Sequence, residues 1–294
     1  MKIAVVAHRK KTLGGGLSEL RELLHKSGYP EPFWQEVSKS RFAPKAARRA
    51  VEHGADLIFV WGGDGTIQRC VDALATKPVT LALLPAGTAN LLATNLEIPI
   101  DLEQAVEIGL TGDSRKLDVG VLNGHRFAVM GGVGLDAIIM ENADGTAKEH
   151  FGRLAYIWSG LGAIRKKSKD VKVQIDGKPW FKGKASCILI GQMNSIGAGL
   201  TVFPDASPDD GLLEVGVITA KSFRDWSRLA IRLAVGQPEK SPLTKMSRGT
   251  DIEIKFNTPM RFEVDGGARK SRKKHVATIE PGAITVKVPK PPTP

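Results

Sequence analysis

Apolar positions along the 294-residue chain fall into two textures, and the change comes near Leu117. Before it, short apolar runs of strand length alternate with segments of helical period. Met1–Ala7, Phe33–Val37, Leu57–Trp61 and Thr80–Leu84 read as strands. Between them, Leu17–His25 places Leu20, Leu23 and Leu24 on one face, and Pro44–His53, the stretch through Ile67, Val71 and Leu74, and Leu102–Ile108 repeat the helical pattern. Strand and helix in alternation predict a parallel α/β layer. Beyond Leu117 strands dominate: Asp118–Leu122, Arg126–Met130, Val171–Ile175, Ala185–Ile190, Gly211–Ile218, Asp251–Phe256, Met260–Val264 and Ala283–Val288. Asn123-Gly124 and Asp176-Gly177 are hairpin turn signals. Two helical patterns interrupt the strands, Phe151–Ile164 and Ser222–Gly236, and the Pro289–Pro294 tail reads as disordered. The pattern predicts an α/β domain over residues 1–117 and a mainly antiparallel β domain over 118–294.

Composition narrows the class. Hydrophobic content of 42% with 32 glycines suits an α/β protein rich in turns. No apolar run approaches the ~20 residues of a membrane-spanning helix. Cys70 and Cys187 lie far apart without CxxC or Cys/His clustering, and the six histidines are scattered, so neither a disulfide framework nor a zinc site is expected. A reducing, cytoplasmic setting follows. The net charge of +11 suits nucleic acid, an anionic membrane surface or a polyphosphate substrate, and also serves solubility. No nucleic-acid-binding motif is present, so nucleic acid is not an expected partner.

The candidate chemistry begins where strand Leu57–Trp61 runs into Gly62-Gly63-Asp64-Gly65-Thr66 and then into helical period. A glycine turn crowds backbone N–H groups around an anion, and the helix N-terminus adds partial positive charge. A second copy follows, with Thr80–Leu84 as strand and Pro85-Ala86-Gly87-Thr88-Ala89-Asn90 as turn. Two phosphate-cradling turns at adjacent strand ends predict a polyphosphate nucleotide site. The competing reading has both turns merely closing βα units, although Asp64 has no packing role among three glycines.

GGDGT followed by LPAGTAN resembles the diacylglycerol kinase catalytic domain family, which includes bacterial lipid kinases and sphingoid-base kinases. NAD kinases and phosphofructokinases share variants of the first motif; the second favours the lipid kinases. The resemblance runs in order from the first strand to Val288 and implies an NAD-kinase-like nucleotide domain, a β-rich lipid-substrate domain, and an active site in the cleft between them. It further implies ATP and Mg2+. The nucleotide would meet Gly62, Gly63, Asp64, Gly65, Thr66, Ile67 and Gln68, then Gly87, Thr88 and Asn90. Ser40 matches a hydroxyl that contacts nucleotide in the family, and equally suits an N-cap for Pro44–His53. The basic, glycine-rich stretch His8–Gly16 stands where the family has Asn-Pro.

In the second part, Gly131–Ala137 matches a family glycine turn. Ile190–Leu200 leading into Phe203–Leu212 resembles the family's metal loop, with Gln192 for the usual Asn and Ala198 for a glycine. Carried across, Asp210 supplies a carboxylate to Mg2+, and Ser207 and Leu212 supply backbone carbonyls; the alternative is an acidic surface turn bent at Asp210-Gly211. Asp265 matches the family's general base, but Gly267 replaces the glutamate that follows it. Arg269, Lys270, Arg272, Lys273 and Lys274 read as an exposed basic loop after it. The implied reaction moves the γ-phosphoryl group of ATP to a lipid hydroxyl, with diacylglycerol the leading acceptor. A sphingoid base, or a sensor role with little turnover, is the alternative. A bilayer-resident substrate implies peripheral docking, for which anionic lipid suits the charge, and family members are often homodimers. Phe151–Ile164, with Tyr156 and Trp158, and Ser222–Gly236, with three arginines, fit either core packing or such docking.

Overall fold

The apolar runs of the first third become fully covered strands, which is why they show no alternation. In the computed structural model, which describes residues 1–134, 168–196 and 200–291, every residue of β1 (Ile3–His8) and β3 (Leu57–Gly62) is buried. The chain forms two compact units, Met1–Val119 with Gly282–Pro294, and Gly120–Pro281. In the first unit β4 (Thr80–Pro85), β3, β1 and β2 (Phe33–Val37) lie parallel in that order. Helices α1 (Gly16–Lys26), α2 (Ala43–Glu52) and α3 (Asp64–Leu74) make the crossovers. Two further helices follow, α4 (Leu91–Asn95) and α5 (Leu102–Thr111), and Asp101 caps α5 by accepting from Gln104 N at 2.9 Å. Gly109 lets α5 come close to the sheet: a Cβ there would stand 2.3 Å from the Phe59 ring. The chain steps from β1 to β2 on one side and then crosses back to β3 on the other side of β1, so the carboxyl ends of β1 and β3 mark the point where doubly wound sheets bind ligands.

Strand β5 (Asp113–Leu122) carries the chain from the first unit into the second, where pairing becomes antiparallel. The strands are β6 (His125–Phe127), β7 (Met130–Val133), β8 (Lys169–Ile175), β9 (Lys178–Ala185), β10 (Cys187–Gly191), β11 (Leu213–Ile218), β12 (Thr244–Gly249), β13 (Asp251–Val264) and β14 (Gly267–Val288). Helix α6 (Phe223–Ala234) falls between β11 and β12. Strand β13 pairs with β8 through Ile252–Phe256 and with β7 through Phe262–Val264. Their inward residues, including Val171, Val173, Ile188, Val215, Ile254 and Phe262, form one core. The end of β14 returns to the first unit and lies parallel to β4, Thr285 opposite Thr80. The division thus falls slightly beyond the change of texture, and its last strand belongs with the nucleotide-type layer.

Three expectations need correction. Arg269–Lys274 is not a loop: it lies within β14 and pairs with β13, Arg269 opposite Phe262 and Lys274 opposite Lys255. Most of its side chains are exposed on both faces, so no alternation marks it as a strand. Arg126–Met130 is not continuous, because the backbone breaks at Ala128 and Val129, whose N–H groups turn to a side chain described below. Ala185–Ile190 is likewise two strands parted at Ser186, whose hydroxyl donates to the Ala220 carbonyl. Helix Phe151–Ile164, the end of the Gly131–Ala137 turn and Ala198 lie outside the described residues.

Candidate active site

The two glycine turns of the first unit are joined through side chains as well as through the sheet. Gly62 and Pro85 are register partners at the ends of β3 and β4, so the turns that follow start side by side. They touch at backbone level: a Cβ on Gly87 would fall 2.4 Å from Gly63 Cα, and one on Gly63 would fall 2.9 Å from Gly87 Cα. Asp64, the first residue of α3, reaches across. Its carboxylate accepts from Asn90 N at 3.1 Å and from Leu91 N at 2.5 Å, capping the start of α4. Asn90 sits at φ 49°, fully buried. Its Oδ1 accepts from Gly87 N at 2.8 Å, and its Nδ2 donates to the Pro85 and Gly87 carbonyls at 3.2 and 3.0 Å. Asp64 and Asn90 thus hold the shape of the pair, which leaves the outward backbone for a ligand.

Thr66 is buried, and its Oγ1 lies 2.9 Å from Ser40 Oγ. That contact corrects the capping alternative for Ser40: α2 begins at Ala43 with Phe42 as its N-cap residue, without a side-chain cap. Ile67 and Gln68 are buried along α3, whereas Thr88 is exposed at the tip of the second turn. No side chain caps the N-terminus of α3, where Gly63 is the N-cap residue. A hollow of about 280 Å³ is lined by Arg9, Val37, Ser38, Phe42, Lys45 and Arg49, with Glu36 the acidic member. Lys45 and Arg49, four residues apart on α2, are the signal that sequence reasoning passed over. His8, at the end of β1, is buried, and desolvation holds its pKa below the usual range.

In the second unit Asp265 occupies the first position of the turn between β13 and β14, at φ 43°, with Gly266 at φ 76°. Both angles are left-handed, as a type I′ hairpin requires. Its carboxylate accepts three backbone N–H groups: Ala128 at 2.8 Å, Val129 at 3.0 Å and Met130 at 2.9 Å. Gln192 meets the same segment, its Nε2 donating to the Ala128 carbonyl at 3.3 Å. The family base position and one departure from the family pattern therefore converge on Ala128–Met130. At another departure, a Cβ on Gly267 would stand 2.8 Å from Arg269 Nη1. The Arg269 side chain folds over that glycine and donates to the Ala268 carbonyl at 3.1 Å.

The acidic loop is exposed at Asp210 and partly covered at Ser207 and Leu212. Asp210 Oδ1 accepts from Leu212 N at 3.0 Å, while Ser207 Oγ donates to Asp209 Oδ1 at 2.8 Å. Phe203 anchors the loop by filling the space over Gly191 and Gly216. Glu214 has its pKa raised, first by burial and further by Asp210 and Asp205, against the opposing charge of Arg248. A divalent cation would relieve that crowding of negative charge, and an exposed carboxylate with loop carbonyls is a donor set a hard cation accepts. Among the described residues no group of three or more His, Cys, Asp or Glu is placed to hold a metal, so backbone oxygens would complete the set. Cys70 and Cys187 are buried, and desolvation pushes both thiols up to about 12, which removes them as nucleophiles.

Paired glycine turns on a parallel layer, followed by an antiparallel β unit, form an NAD-kinase-like fold. Yeast NADH kinase complexed with NADH shares it with a TM-score of 0.60 at 13% identity, over 99% of this chain and 84% of that one. A diacylglycerol kinase structure from Bacillus anthracis str. Sterne matches with a TM-score of 0.80 at 22% identity, over 98% of this chain and 96% of that one. At those identities the likeness concerns the fold alone. In sequence, a diacylglycerol kinase of Staphylococcus saprophyticus is 25% identical over 271 residues, 89% of this chain and 88% of that protein. Residues 6–122 match the diacylglycerol kinase catalytic domain, and residues 129–288 the YegS C-terminal NAD kinase beta sandwich-like domain. The chain belongs to the diacylglycerol kinase family that joins these two domains, and it is a phosphotransferase with an alcohol group as acceptor.

Proposed function

We propose that the protein is an ATP-dependent lipid kinase whose acceptor is diacylglycerol and whose product is phosphatidic acid. The observation that carries this reading is the bridging of the two glycine turns by Asp64, in a chain of this family. Phosphoryl transfer asks a protein for positioning and charge stabilisation above all. The backbone of Gly62–Thr66, with the Thr88 hydroxyl, grips the triphosphate, and Ser40 orients the Thr66 hydroxyl. The hollow lined by Arg9, Lys45 and Arg49 carries positive charge that suits the anionic phosphates of the nucleotide.

Asp265 takes the proton of the acceptor hydroxyl as that oxygen bonds to the γ-phosphorus and the β,γ-bridging bond breaks, releasing ADP. Three N–H donors from Ala128, Val129 and Met130 fix the position of the carboxylate. Asp210, with the Ser207 and Leu212 carbonyls, would hold Mg2+, which when bound supplies charge neutralisation to the acidic loop.

Labelled ATP and dioleoylglycerol in mixed micelles test the reading, with sphingosine as a second acceptor. Labelled phosphatidic acid is the expected product; transfer to sphingosine alone would move the acceptor to sphingoid bases. A nucleotide- or lipid-binding sensor is the second reading, favoured by the Arg269 side chain folded over Gly267. ATP binding without transfer to either lipid would establish it.

A further inference from the structure

Helix α6 faces inward with apolar side chains: Trp226 and Leu229 are buried in a cluster with Leu189, Phe203 and Ile218. Its outward face is not simply polar. Phe223, Ile231 and Val235, just past the last turn, are 66%, 64% and 56% exposed. Their spacing in multiples of four puts them on one stripe, and Arg224, Arg228 and Arg232 form the stripe beside it, all exposed. Among the described residues these arginines make no salt bridge. The acidic residue of the helix, Asp225, is turned back into a capping box, accepting from Lys221 N and Ser222 N at 3.0 Å. The outward face therefore offers apolar side chains and cations at the same level, with Asp225 drawn into its cap.

We propose that this face of α6 docks the protein on an anionic lipid bilayer. Phe223, Ile231 and Val235 enter the boundary between headgroups and acyl chains, and the three arginines meet lipid phosphates. Charge complementarity selects this partner. A second copy in two-fold contact would bring the same arginine stripes together, like charge against like. Among the described residues no helix is long and apolar enough to cross a membrane, so the contact is interfacial. The choice of a lipid surface rests on the lipid-kinase reading, and the test omits the acceptor lipid so that the two can fail separately.

The test is sedimentation with phosphatidylglycerol vesicles and with phosphatidylcholine vesicles, neither containing diacylglycerol, at low and high salt. Native protein is expected on the anionic vesicles, and released by salt. Changing Arg224→Gln, Arg228→Gln and Arg232→Gln together should weaken binding roughly a hundredfold, from about fivefold per arginine. Phe223→Ser with Ile231→Ser should weaken it about tenfold or more. Thermal unfolding and ATP affinity should stay at native values in both variants, because the altered side chains are exposed. Native protein that ignores anionic vesicles, binds neutral ones equally well, or is matched by both variants would overturn the proposal. A solution dimer that Ile231→Ser dissolves would give the face to a second copy and overturn it too. Docking that persists without transfer to dioleoylglycerol would count against the acceptor, not against this surface.

Discussion

Three hairpin turns of the second unit begin with a residue in the left-handed region followed by glycine: Asn123-Gly124, Asp176-Gly177 and Asp265-Gly266. In each, the first side chain also binds a neighbouring backbone. Asn123 Oδ1 accepts from Val276 N at 3.1 Å, Asp176 Oδ1 from Thr250 N and Asp251 N at 2.9 Å, and Asp265 from three amides. Asp265 is thus a structural staple as well as the proposed base. Asp265→Asn keeps one acceptor oxygen and turns an NH2 group toward amide donors, so it should lose about 2 kcal/mol or more of stability. Urea unfolding measures this, and an unchanged midpoint would deny the staple role. A base role adds a fall in transfer rate far beyond the fraction unfolded. His275 gives a second prediction. It is fully buried between Phe256 and Phe262, with Asn123 Nδ2 donating to its Nδ1 at 3.0 Å, so Nε2 carries the proton to the Arg272 carbonyl. Burial lowers its pKa from 6.5 to about 4. The unfolded chain therefore binds a proton first on acidification, and stability present above pH 6.5 is lost between there and pH 4, by about 3 kcal/mol in full. His275→Gln should flatten that part of a stability–pH curve.

At the scale of elements, two strand-turn-helix units are useful as a pair because nothing stands between their backbones. Gly87→Ala places a methyl group against Gly63 Cα, at a predicted cost of about 1–3 kcal/mol and a tenfold or greater loss of ATP affinity by calorimetry. Gly65→Ala is the control for the stability cost alone, since its Cβ would meet nothing nearer than Ser40 Oγ at 4.0 Å. The strands and helices of the first unit were legible because burial on both faces leaves unbroken apolar runs and the crossovers keep helical period. The turns were legible too, as glycine spacing writes them directly. That the Asp64 carboxylate crosses to the second turn was not, because a hydrogen bond between residues 26 and 27 apart has no local signature. Strand β12 was missed for another reason: Thr-Lys-Met-Ser-Arg-Gly lies at one end of the strand order and is buried only at its two end residues, so it carries no alternation. The basic half of β14 hid in the same way.

Over the whole molecule, the chain passes between its two units inside β5 and again inside β14. A change of texture reveals the first passage. The second lies within one strand and has no compositional mark, which is why sequence reasoning assigned Ala283–Val288 to the β-rich part. A fragment of residues 1–119 would carry β4 with an open edge where Thr285 and Val286 pair in the full chain. It should unfold at lower urea concentration than the same fragment linked to residues 282–294; equal midpoints would remove that strand from the stability of the layer. The arrangement also sets an order of events during synthesis. Both glycine turns leave the ribosome before the second unit does, yet their sheet closes only after every residue of that unit has been made. Until then the nascent layer keeps an unpaired rim of backbone, and chains stalled before Gly282 should be cut by protease where finished ones resist.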